Sequence, residues 1–114
     1  MNETNTNYTI ERARNLSREL MLRDHNVLTT GDVKLCASAL ASYKTAFFDR
    51  KAGKELGDME RMIIAGYAEE MAHNMRGCAE LALGPTDSEL CSRALKLHSR
   101  ELVAKLRTET AKAA

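Results

Sequence analysis

The stretch Asp58 to Pro85, DMERMIIAGYAEEMAHNMRGCAELALGP, decides the fold class. Met59, Met62, Ile63, Tyr67, Met71, Met75, Cys78 and the pair Leu81/Ala82 recur at steps of three and four, the period of one face of an α-helix. Asp58 is placed to cap the start. Gly84 supplies a C-terminal cap, and Pro85 forbids continuation. The pattern predicts a helix over residues 58–83, about 37 Å long at about 1.5 Å per residue.

The chain beyond Pro85 reads the same way. Thr86-Asp-Ser-Glu89 is a capping box, in which a hydroxyl and a carboxylate satisfy each other's backbone donors. It opens a helix over 87–108 with Leu90, Cys91, Ala94, Leu95, His98, Leu102 and Leu106 on its apolar face. So short a connection to the preceding helix predicts an antiparallel αα-hairpin. The Ala-Lys-Ala-Ala end is expected to fray.

Upstream, residues 1–8 are rich in Asn and Thr and read as disordered. Thr9 caps a helix over 9–23 with Ile10, Ala13, Leu16, Leu20 and Met21 on one face. Thr29 or Thr30 caps another over 31–50, with Val33, Cys36, Leu40, Tyr43 and Phe47 aligned. Its centre, CASALAS, is small side chains, which allow close approach of other helices. Asp49 to Asp58, with Gly53 and Gly57, reads as a loop. No internal repeat is evident, and 114 residues suit one domain over 1–114. The expected fold is all-α: four helices, orthogonal or bundle-like, with a long third helix. A helix of that length exceeds what the short first helix can cover. A second copy is the expected cover, so the chain reads as a homodimer.

Composition narrows the function classes. Aromatic residues are 4% of the chain and Trp is absent, so the core must be aliphatic, which suits helices. Seventeen basic against 16 acidic residues argue against a strongly cationic nucleic-acid binder, though not against a local basic face. Cys36, Cys78 and Cys91 are scattered and odd in number, so no disulfide framework is expected and a cytoplasmic setting is. The start MNETNTNYT lacks an apolar signal core, and no apolar run approaches a membrane span.

Candidate sites are few. Glu70-Met-Ala-His73 has the Glu-x-x-His spacing of di-iron bundles, but such a centre needs two of these motifs and two further Glu. No metal or cofactor is expected. His98, on an apolar face, reads as a hydrogen-bonded core residue. Cys91 lies two turns away on its own helix, so no nucleophile sits beside it there. Arg93, Lys96, Arg100 and Arg107 share one side of the last helix and could contact nucleic acid or an acidic partner. Leu28 to Val33 could open the second half of a helix-turn-helix, but CASALASYK holds few side chains that read base edges. Met59, Met62, Ile63, Tyr67, Met71 and Met75 form an apolar stripe suited to another protein's surface, and methionine is over-used on adaptable binding faces. The expectation is a small non-enzymatic regulator or adaptor, in one form an inhibitor or anti-activator occupying a partner's contact surface. The alternative is a dimeric DNA-binding transcriptional regulator using the basic helix face.

Overall fold

The computed structural model describes residues 3–48 and 54–113. The architecture is helical, with a small two-stranded ribbon: α1 Glu3–Leu22, β1 Asn26–Leu28, α2 Thr30–Phe48, α3 Asp58–Met75, β2 Leu81–Leu83 and α4 Pro85–Ala113. The strands pair antiparallel, Asn26 with Leu83, Val27 with Ala82 and Leu28 with Leu81.

Several expected boundaries move. The long third helix stops at Met75, not at residue 83. Arg76 leaves the helix, and Gly77 follows at φ +81°, a left-handed conformation that costs an L side chain about 1–2 kcal/mol and glycine little. Leu81 to Leu83, whose apolar character reads as one more helical turn, instead pairs with β1. The cap of α3 is Gly57, with Asp58 already in the first turn. Gly84 precedes α4, where its carbonyl accepts the Ser88 amide, and Pro85 is the first helical residue. The capping-box position Thr86 is therefore inside the helix. That helix extends through Ala113, beyond the expected end at 108. Residues 3–8, expected to be disordered, lie in α1. Of the expected loop, residues 49–53 lie outside those described. α3 packs chiefly on α2, and α4 on α1, rather than α3 and α4 on each other as a hairpin. With α3 at 18 residues against 20 for α1, the length mismatch that predicted a second copy disappears.

A repeat hidden in the sequence organises these contacts. At a fixed offset of 55, the separation of Leu28 and Leu83, the two halves match at Asp32/Asp87, Leu35/Leu90, Cys36/Cys91, Ala39/Ala94 and Leu40/Leu95. The preceding helices follow the same offset, with Ile10/Ala65, Ala13/Ala68, Leu16/Met71 and Leu20/Met75 all buried. The strand register maps onto itself under this exchange, as do the α1–α4 and α2–α3 packings. The chain is thus two helix–strand–helix units about an approximate two-fold axis through the Val27–Ala82 pair. The expectation of no repeat is corrected: two copies with few identities outside the core leave no visible period.

Both units contribute to one core and share most of its positions, though Tyr43, Ala46 and Phe47 of α2 are buried where their counterparts His98, Glu101 and Leu102 are not. Leu28 and Leu83 point inward from the ribbon while Val27 and Ala82 face outward. Each fully buried leucine stabilises the fold by about 1.5–3 kcal/mol. Asn26 Nδ2 donates to the Ser88 hydroxyl at 2.9 Å and lies 3.1 Å from the Arg23 carbonyl, tying the end of α1 to α4. Ser17 and Ser92 exchange hydroxyl-to-carbonyl bonds of 2.8 and 2.7 Å, which satisfies two buried polar side chains inside the α1–α4 contact. None of the described helices is long and apolar enough to cross a membrane.

Candidate functional site

The expected methionine stripe divides in two. Met71 and Met75 are 8% and 1% exposed, part of the core, and the Cys91 thiol lies 3.6 Å from the Met71 sulfur. They cannot contact a partner in the folded chain, which corrects their assignment to the binding face. Met59, Met62, Ile63 and Tyr67 are 76%, 64%, 65% and 44% exposed. At roughly 200 Å² per large side chain, those fractions leave about 500 Å² of largely apolar surface, comparable with the largest patch on a typical monomer. The cause is geometric: α3 turns the stripe of Ala65, Ala68, Met71, Ala72 and Met75 toward the core, and the exposed residues lie nearly half a turn away around the helix.

This face runs into a groove of about 300 Å³ between α2, α3 and α4. Ile63, Ile64, Leu90 and the ring of Tyr43 supply apolar wall, and the Glu89–Arg93 pair at 2.7 Å supplies a polar edge. The Tyr67 hydroxyl donates to Asp87 at 2.5 Å, and this bond holds the phenol above its usual titration range. Burial likewise pushes the Tyr43 hydroxyl up. Both phenols are therefore neutral donors at physiological pH.

Comparison of the halves shows which features the fold itself requires. Where the second unit has Met62, Ile63 and Tyr67, the first has Asn7, Tyr8 and Arg12. Arg12 closes its side with a two-pronged bond to Asp32, Nε to Oδ1 at 3.0 Å and Nη2 to Oδ2 at 2.7 Å, and this partner raises its pKa further. Tyr67 and Asp87 occupy the equivalent places, so each unit clasps its two helices by the same contact with different chemistry. The packing tolerates polar residues at 7 and 12, so apolar residues at 62 and 67 are not demanded by it. The charges differ too: Lys34 and Arg14 in the first unit correspond to Glu89 and Glu69 in the second.

The other expected sites are not brought together. Glu70 and His73 are exposed, and among the described residues no group of three or more His, Cys, Asp or Glu is placed to hold a metal. His98 is half-buried beside the Ser42 hydroxyl at 3.3 Å, and burial lowers its pKa. Cys36 and Cys91, counterparts across the axis, are fully buried; their mutual hydrogen bond, then burial, pushes the Cys36 thiol far up, which makes it unreactive. Arg93, Lys96, Arg100 and Arg107 are all exposed on α4, with Arg93 engaged by Glu89. The helix-turn-helix reading fails because β1 separates α1 from α2, and Cys36, Ala39, Leu40 and Tyr43 of the would-be reading helix are buried.

No protein-family model matches this chain, and neither do any of the curated proteins or solved structures. The signal that sequence reasoning missed was internal. At the offset of 55, Met62 and Tyr67 stand where the first unit has the polar Asn7 and Arg12, and so depart from the repeat.

Proposed function

We propose that this protein is a non-enzymatic binding module that engages another protein through the exposed apolar face of α3, acting as an adaptor or as an inhibitor that occupies its partner's contact surface. One observation carries the reading. Met59, Met62, Ile63 and Tyr67 keep large apolar area in water. At two of these positions, 62 and 67, the symmetry-related helix manages with the polar Asn7 and Arg12, while Tyr8, the counterpart of Ile63, is itself exposed. Exposed apolar area of this extent destabilises nothing by being covered, and covering it yields about 25 cal/mol per Å² before the costs of association.

The test is affinity purification from the native host with mass spectrometry, using wild type beside Met62→Glu and Ile63→Glu. Both substitutions lie on the surface and should leave the helical signal unchanged. The reading expects a protein retained by wild type and lost from both variants. An identical set of retained proteins for all three baits refutes it.

A further inference from the structure

The α3 face has a charge character that its apolar residues alone do not reveal. Seven acidic side chains, Glu55, Asp58, Glu60, Glu69, Glu70, Asp87 and Glu89, lie on α3, just before it or on the first turns of α4. Arg61 is engaged by Asp58, Arg93 by Glu89, and Lys44 reaches Glu69 at 3.0 Å. Glu55, Glu60 and Glu70 are exposed and form no ion pair among the described residues. The equivalents of Glu60, Glu69 and Glu70 in the first unit are Asn5, Arg14 and Asn15. The acidic border is thus particular to the second unit, as are Met62 and Tyr67 of the apolar centre, whereas Ile63 has an exposed aromatic counterpart in Tyr8.

From this we infer that the occupant of the α3 groove is a basic amphipathic helix of another protein, its apolar stripe on Met62, Ile63 and Tyr67 and its flanking Lys or Arg side chains on Glu55, Glu60 and Glu70. This rests on the reading of α3 as a binding face and adds the partner's chemistry. Size agrees: about 500 Å² is the apolar share of one side of an interface burying about 800 Å² per partner. The groove, at about 300 Å³, takes an anchoring side chain or two and is at the small end for a free ligand. Charge selects against a second copy. A symmetric contact would set α3 against α3 and place the acidic borders together, which is repulsive. A head-to-tail contact would draw on the exposed Tyr8, Met21, Leu22 and Val27 of the first unit, and contacts of that kind close only for particular rotations.

The experiment titrates the isotope-labelled full chain with two synthetic helical peptides of about 18 residues sharing one leucine stripe, flanked in one by Lys and in its twin by Glu. The Lys peptide should shift the amides of residues 59–70 and 86–93. It should bind at least about tenfold more tightly than the Glu twin, and weaken severalfold when salt rises from about 50 to about 300 mM. Glu60→Lys with Glu70→Lys should remove most of that preference. Equal binding of the twins on α3 overturns the basic-helix assignment and leaves the binding face standing. No shift on α3 from either peptide, at millimolar concentration, overturns both. Self-association in sedimentation that Met62→Glu abolishes and the Lys peptide cannot displace makes the occupant a second copy and overturns the inference.

Discussion

Met62 and Met71 lie on the same helix, and the structure assigns them opposite costs. Met71→Ala removes three heavy atoms from a site packed against Cys91. At about 0.8 kcal/mol per methylene-sized group, the transfer loss is about 2.4 kcal/mol. If roughly 50 Å³ fails to collapse, about 1 kcal/mol is added, for a total of about 3–3.5 kcal/mol. Met62→Ala exposes nothing new and should change stability by less than about 0.5 kcal/mol. The assay is urea unfolding followed by far-ultraviolet circular dichroism. With a slope near 1.5–2 kcal/mol/M, Met71→Ala should lower the midpoint by about 2 M and Met62→Ala by less than about 0.3 M. Equal shifts for the two variants refute the division of the stripe into a buried and an exposed half. The same logic restricts binding tests to the exposed half, because Met71→Glu would place a charge in the core and unfold the chain.

Other consequences can be checked with the same assay. Gly77→Ala forces a side chain into a positive-φ position and should cost about 1–2 kcal/mol, whereas Gly31→Ala, at ordinary φ with open space, should cost less than about 1 kcal/mol; equal costs count against the α3 stop. The Arg12–Asp32 clasp, half-buried and two-pronged, should show a coupling of about 1 kcal/mol in a double-mutant cycle, and additivity within about 0.3 kcal/mol shows that it contributes nothing. Folding holds His98 below its ordinary pKa of 6.5, so the unfolded chain takes up the proton first. Stability contributed by the neutral ring is therefore complete above about pH 6.5 and declines as pH falls below it. Between about pH 7.5 and 5.5 wild type should lose more stability than His98→Gln, and parallel losses rule out the burial of the ring as the cause.

Much of the helical class was legible in the chain itself. The steps of three and four in Ile10 to Leu20 and Val33 to Phe47 select core faces, because burial of one stripe of a 3.6-residue helix imposes that period. On α3, by contrast, the same steps run through the exposed Met59 to Tyr67, and the buried face is mostly alanine, at Ala65, Ala68 and Ala72. Gly77 and the pair Gly84-Pro85 mark breaks whose cause is local: an unhindered positive φ and a missing amide. What the chain alone could not decide was the choice between helix and strand at Leu81-Ala-Leu83. Three apolar residues satisfy either period, and only their hydrogen bonds to Asn26–Leu28 settle it. Tertiary structure also separated Met62 from Met71. Both fit an apolar stripe, and which one meets water depends on where α2 lies. The two-fold relation between the units belongs to both levels. Its residues stand in the sequence at a fixed offset, but their meaning appears only when the ribbon pairs the halves. Positions that must be apolar can then be told from those, on the α3 face, that the packing does not require to be.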